Sequence, residues 1–535
     1  MAIDDIYTKG IGEGWKVVDA STLQQDQTWE ADVAIIGSGA GGGTTAEILS
    51  AAGLKVLILE EGPLQTAANF KDMNDARAYG ELYQEGAGRA TADGAVSILQ
   101  GRAVGGTTTV NWTSSFRTPP PTLQYWAETF GLKGASVEEM APWFAQMEER
   151  LGIAPWAVSP NANNDALKRG AEKLGWAAHV IPRNVRGCWN LGYCGLGCPT
   201  NAKQSMLVTT IPGALKNGAQ LVHHVSVRRL AFAGGKVAGL SAAALGLDCV
   251  KPSGVNITVK ARHYVLAGGA INNPALLLRS GAPDPHGRIG KRTCIHPVNL
   301  SLALMPDKVE GYYGAPQSIY SDEFQWHRDV PGGARGAAGY KIEVAPMQPL
   351  LGSVIYGRYG EELKTGMAQL PHLQSMLALI RDGFDEQSQG GEVRIDDDGA
   401  PVIHYDIGDY LWDGMRRAHL SMAELQFAAG AKQVMPLHLD APLCSSWSEA
   451  KDLIGKLAYR KQRLPVFTAH LMGGCAMGED EKLTVTDSNA RFRHADNLSI
   501  IDGSLFPTSI GANPQLSIYG FACKNATKLA KELKT

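Results

Sequence analysis

The sequence predicts an α/β protein in two parts: a Rossmann-like unit on a parallel sheet, and a second unit of mostly antiparallel sheet backed by helices. Three observations predict it. Residues 31–63, ADVAIIGSGAGGGTTAEILSAAGLKVLILEEGP, read as strand, tight turn, helix and strand. Residues 264–281, YVLAGGAINNPALLLRSG, repeat the strand, Gly turn and helix, and 498–502 add a later strand. Residues 298–440 change character: strand-like runs and helical stretches, with no further turn of that kind.

The first element carries the most chemistry. Residues 33–36 form a short apolar run suited to a fully buried parallel strand. Gly37, Gly39 and Gly42 follow in the G-x-G-x-x-G spacing. In that spacing the first glycine makes the turn, the second lets backbone approach a pyrophosphate, and the third lets the helix pack on the sheet. The helix over 44–52 offers free N–H groups and a positive dipole end to phosphate. Glu60 ends the second strand, where a carboxylate can accept both hydroxyls of an adenosine ribose. A lone glycine motif is weak, but here strand, turn, helix and distal acid agree on a dinucleotide site.

Composition bounds the rest. The chain has 535 residues, more than one hydrophobic core usually serves. Charged residues are 19% of it and the formal net charge is −3, with Lys and Arg scattered, so no nucleic-acid surface is expected. The opening MAIDDIYTKG lacks an apolar core and no run of about 18 apolar residues occurs. Neither a leader nor a transmembrane segment is expected, and a cytoplasmic location with reduced cysteines follows.

Along the chain, 1–30 reads as a polar N-terminal arm with a short strand near 15–18. An acidic helical piece occupies 73–84. Residues 98–111, ILQGRAVGGTTTVN, hold a second phosphate-friendly turn at Gly105, Gly106 and Thr107, ending at Asn111. A Pro-rich break at 118–121 precedes two helical stretches over 123–151, whose aromatics ordinarily serve as core. Residues 204–218 look helical, and 221–245 look like a β-meander around Gly234–Gly235. Strands are expected at 299–304, 341–345, 392–395 and 401–404, and helices at 370–381 and 410–429. A long final helix over 513–533 opens on Asn-Pro, a good N-cap and N1 pair.

Two C-terminal pieces hold candidate chemistry: TAHLMGGCAMG at 468–478 and IDGSLFPTSIGANPQLSIY at 501–519. A lone histidine is most often structural, but a Gly-rich loop follows His470 closely. With the dinucleotide loop and Glu60, GRAVGGTTTVN and AGGAINNPALLLRSG, these pieces make the chain resemble the glucose–methanol–choline (GMC) oxidoreductases, a family of FAD-dependent alcohol oxidases and dehydrogenases. AHLMGGCAMG, VNWTSSFRTP and CGLGCPTNAKQS are most similar to long-chain alcohol oxidases and dehydrogenases, with cholesterol oxidases next.

The resemblance implies an FAD-binding domain from 31–117, 200–297 and 461–535, a connecting segment at 118–199 and a substrate-binding domain at 298–460. It implies oxidation of a primary alcohol, apolar aliphatic or aryl, by hydride transfer to flavin N5. The electrons pass to an external acceptor, a protein or quinone. Oxygen as acceptor, and a non-redox hydroxynitrile lyase, are the alternatives. His470 and Asn513 become the catalytic pair. Asp502 and Gly503 fall near the ribityl chain or pyrophosphate, and Val227 near adenine. Val110 stands where some relatives carry the histidine that attaches FAD, so non-covalent FAD is expected.

Cys188, Cys194 and Cys198 lie in CWNLGYCGLGCP. They read as thiols in a Gly-rich loop, with an occasional disulfide. The C-x5-C-x3-C-P pattern is also similar to the segment that holds a [3Fe–4S] cluster in some bacterial FAD-dependent glucose dehydrogenases, and three thiolates suffice for one. Zinc is a third reading, without an obvious histidine partner nearby.

Overall fold

The computed structural model describes residues 3, 5–326 and 333–534. Gln27–Ile36 alternates in exposure at its start and is fully buried over its last four residues, as a strand entering the middle of a sheet must be. It pairs in parallel with Val56–Leu59 and with Pro252–Leu266. The sheet runs Lys16–Asp19, Gln220–His223, Val56–Leu59, Gln27–Ile36, Pro252–Leu266, Lys236–Leu245, Val225–Ala233, and Leu498–Ile500 also pairs with Pro252–Leu266. Its last two strands are the expected antiparallel meander.

Register brings the ligand-facing turns to one edge. Ile36 pairs with Leu266, and Leu266 with Ile500. Three strands therefore end side by side, at Gly37, at Gly268 and at Asp502. The carboxyl ends of parallel strands are where an open α/β sheet receives its ligand. The helix Ala40–Ala51 packs between this sheet and the long helix Gln515–Lys534. That last helix starts at Gln515, with the Pro514 carbonyl accepting from Ile518 N–H. Asn513 does not cap it as expected, because its amide is engaged elsewhere.

A second sheet runs Tyr340–Val344, Leu373–Ile380, Val298–Leu304, Val466–Thr468, Val96–Ile98, with Gln433–Pro436 beside Val298–Leu304. The helix expected at 370–381 is a strand, Leu373–Ile380, buried throughout. Its residues alternate: Met376, Ala378 and Ile380 pack with the helix Asp409–Ala428, while Leu377 and Leu379 face the opposite core with Leu300 and Ile355. A strand apolar on both faces carries no polar period that would distinguish it from a buried helix. Strands Val96–Ile98 and Val466–Thr468 reach this sheet from either side of the chain and tie the two units together.

Candidate active site

The strand ends enclose a cavity of about 560 Å³. Two glycine loops form one wall. Gly39 has open space where a Cβ would stand, its nearest neighbour being Gly106 Cα at 3.8 Å. Gly106 is in the left-handed region at φ +55°, and a Cβ there would meet Gly39 Cα at 2.8 Å. Gly106 therefore has no room for a side chain, while the space beside Gly39 stays open. The helix after Gly39 has no side-chain cap, so its first N–H groups are left for an anion. A narrow cradle of backbone donors is what a pyrophosphate needs, and these residues fit a dinucleotide such as FAD.

Carboxylates brace this end. Glu60 accepts from Ser38 N–H at 3.0 Å and from Gly62 N–H at 2.8 Å, and the Ser38 hydroxyl accepts from Gly105 N–H at 2.9 Å. Glu60 thus joins both glycine loops to the strand end. Burial pushes its pKa up to about 7, against the lowering effect of those hydrogen bonds. Asp502 accepts from Gly269 N–H at 2.6 Å and the Asn273 amide at 2.8 Å, and burial raises its pKa too. Gly37, Val227, Gly503, Thr107 and Asn111 also line the cavity, whereas Gly42 shapes the turn: a Cβ at Gly42 would stand 2.0 Å from the Gly37 carbonyl oxygen. The Asn111 amide donates to Gln515 Oε1 at 2.7 Å, fixing the second loop against the last helix.

His470 and Asn513 line the same cavity. Asn513 Oδ1 accepts from Lys341 Nζ at 3.2 Å, and its amide donates to Glu343 Oε2 at 3.1 Å. Lys341 and Glu343 form a fully buried ion pair at 2.9 Å, and Lys341 Nζ also lies over the Phe116 ring. Gln317 donates to Glu343 as well. His470 Nδ1 lies 3.1 Å from His296 Nδ1, and His296 Nε2 accepts from Gly511 N–H at 3.1 Å. A nitrogen that accepts carries no proton, so the proton of neutral His296 sits on Nδ1 and is donated to His470. The hydrogen-bond pattern therefore assigns His470 the Nε2–H tautomer. Burial lowers the pKa of His470 to about 4; nearby Lys341 adds to this and Glu343 opposes it. The imidazole is neutral at neutral pH.

Sequence reading missed Lys341, Glu343, His296 and Gln317. A signal existed for two of them. Lys341 and Glu343 alternate with Tyr340, Ile342 and Val344 in a strand whose every residue is buried. Two charges on one face of such a strand require a partner or a task. His296 had no local signal, because its meaning lies in a histidine distant in sequence.

Cys188, Cys194 and Cys198 are outside the cavity lining and free. Each sulfur accepts an N–H at 3.4 Å, from Asn190, the Arg183 guanidinium and Lys203 respectively. Lys203 is buried and donates Nζ to the carbonyls of Thr109, Asn111 and Cys194, so it pins the cysteine loop behind the second glycine loop. Among the described residues, one group of His, Cys, Asp or Glu ligand atoms converges within 4.8 Å, and it holds none of these cysteines.

Comparisons with known proteins bear on family and fold. The N-terminal and C-terminal models of GMC oxidoreductases match residues 79–298 and 387–522. An uncharacterized GMC-type oxidoreductase of Mycobacterium tuberculosis is 34% identical over 496 residues, 92% of this chain and 74% of that protein. Long-chain-alcohol oxidase FAO4B of Arabidopsis thaliana is 28% identical over 529 residues, 94% of this chain and 68% of that one. Among solved structures, a formate oxidase of Aspergillus oryzae superposes with TM-score 0.70 at 15% identity, over 96% of this chain and 100% of the other. Pyridoxine 4-oxidase gives 0.66 at 20%, over 93% and 98%.

Proposed function

The chain belongs to the GMC oxidoreductase family, and from that premise we propose that it oxidises a primary, apolar alcohol with FAD. The observation that carries this reading is a single cavity with a backbone phosphate cradle at one end and His470 with Asn513 in its wall. When bound, the flavin supplies the hydride acceptor. The loops with Gly37, Gly39 and Gly42 and with Gly105, Gly106 and Thr107 would hold its pyrophosphate, with Glu60 at the ribose, Val227 at adenine, and Asn111, Asp502 and Gly503 further along. Val110 at the contact loop offers no nucleophile, so FAD is expected to dissociate on denaturation.

His470 and Asn513 hold the alcohol oxygen. The neutral imidazole presents Nε2–H to it, and the amide proton of Asn513 not engaged by Glu343 donates to the same atom. Both contacts strengthen as alkoxide character develops. In this tautomer the alcohol proton passes to the Glu343 carboxylate. In the other, His470 Nε2 takes the proton directly. One apolar cluster in the lining, with Leu300, Leu377, Leu379, Leu351, Ile355 and Phe467, supports an aliphatic or aryl chain. The long-chain-alcohol oxidases of Arabidopsis thaliana add to that support. Electrons then leave to an external acceptor: oxygen, a quinone or a protein. The cysteine segment is read as thiols held by N–H donors. Iron and sulfide in stoichiometric amounts, in protein purified anaerobically, would replace that reading with a cluster.

The test is anaerobic bleaching of the bound flavin by a panel of aliphatic and aryl alcohols. Bleaching by apolar primary alcohols is expected, with aldehyde as product. Flavin that no alcohol bleaches, in a protein that cleaves cyanohydrins, would sink the redox reading. His470→Gln separates the two proton routes: glutamine still donates but cannot serve as base, so retained turnover assigns the proton to Glu343.

A further inference from the structure

We propose that Asp19, His223 and His224 form a site for a divalent transition-metal cation of the zinc class, which clips the first strand to the main sheet. The site lies outside the cavity. Among the described residues Lys16–Asp19 is an edge strand with one sheet neighbour, Gln220–His223, and Asp19 and His223 are register partners.

Successive side chains of a strand point to opposite faces, so two adjacent histidines should not meet. Here they do. His224 has φ +58°, a left-handed conformation unusual for a residue other than glycine. The strand breaks there, and the Nδ1 atoms of the two rings face each other at 2.8 Å. Asp19 Oδ1 lies 3.0 Å from His224 Nδ1 and 3.9 Å from His223 Nδ1. Zinc with ligand bonds of 2.0–2.1 Å in a tetrahedron sets its ligand atoms about 3.3 Å apart. The three observed edges bracket that value. This is the convergent group noted above among the described residues.

The electrostatics suit a coordinated metal. Burial lowers the pKa of both imidazoles, leaving neutral rings with lone pairs to offer. Asp19 Oδ1 accepts from Ser21 N–H at 2.9 Å and from the Ser21 hydroxyl at 2.7 Å, which favours the ionised carboxylate that a cation needs. The nearby Arg102 opposes any positive charge at His224. A site held by general attraction to cations would suffer from that, so nitrogen-seeking metals are favoured over calcium or magnesium. A cation there would displace whatever proton lies between the two Nδ1 atoms. Asp19 is one-third exposed while both histidines are nearly buried, so entry is from the aspartate side and a water completes the set. A strained φ kept at a position that aims a ligand is consistent with such a task.

The experiment uses the flavin-loaded protein, stripped with a chelator and titrated with cobalt(II). Uptake of one equivalent is expected, with ligand-field absorption at wavelengths beyond the flavin bands, a higher melting temperature and slower amide exchange over residues 16–19. Asp19→Asn and His224→Gly should each weaken binding by more than the roughly 10–100-fold that losing an outer partner costs. Glycine accepts φ +58° freely, so His224→Gly is expected to fold, and its flavin content shows whether it has. No uptake by the wild type overturns the proposal. So does uptake that persists unchanged in both variants.

Discussion

The two ends of the cavity are built in opposite ways. The end proposed to hold phosphate is made of backbone: Gly39 and Gly106 pack loop on loop, and Glu60 and Asp502 hold N–H groups rather than one another. The end proposed for catalysis is made of side chains. His296, Lys341, Glu343, His470 and Asn513 come from four separate stretches and mean little alone. A backbone site demands particular residues at fixed local spacing and so writes itself into the sequence. A side-chain network demands only that certain groups arrive together.

The sharpest way to break the comparison is Gly106→Val. Its Cβ has no room beside Gly39 and its φ is wrong for a β-branched residue. Complete loss of bound flavin is expected, read from the visible spectrum of the purified protein. Retained flavin would mean that the two loops can part, and that the cradle is less rigid than its geometry.

His470→Ala should do the reverse. Flavin content is expected to match the wild type, while turnover falls by about 10²–10⁴-fold, the usual worth of a positioned acid–base group. Lost flavin would show that the two ends are not independent.

The ion pair under Asn513 comes next. Lys341→Met leaves Glu343 buried without its partner, which typically costs about 3–5 kcal/mol. The double variant Lys341→Met/Glu343→Leu should regain most of that stability in denaturant unfolding but lose the activity that the single variant keeps, because only then has Asn513 nothing to hold it. A double variant no more stable than the single would mean that the pair is not the energetic unit its geometry implies.

What the sequence made legible follows the same division. The parallel sheet, both glycine loops, Glu60 and the meander were readable because each is local: a turn, a period, an acid at a strand end. The proposal of His470 and Asn513 as a catalytic pair comes only through resemblance. The strand Leu373–Ile380 was misread as helix because it is apolar on both faces, and a fully buried strand and a buried helix look alike over eight residues. Asn513 was misread as a cap because Asn-Pro opens many helices, whereas here Lys341 and Glu343 claim the amide. The lysine and glutamate stood in an expected strand without a role. Nothing local says which distant asparagine a buried ion pair will grip.

The smallest effect is the most informative about that network. His470 titrates at about 4 against an ordinary 6.5. Its neutral form persists down to that pH, so on the route in which His470 Nε2 is the base the acid limb of kcat/KM is expected near 4. Stability has the opposite concern. As pH falls from 6.5, the unfolded chain takes up the proton that the folded imidazole refuses, so this group subtracts stability progressively between 6.5 and 4 and no further below. Burial is the main cause of the shift, and the Lys341 charge adds to it. Removing that charge in Lys341→Met should move the acid limb upward, toward 6.5, because Glu343 then favours the imidazolium unopposed. A limb that stays near 4 in this variant would assign the shift to burial alone, and the ion pair would be a brace for Asn513 rather than a tuner of His470.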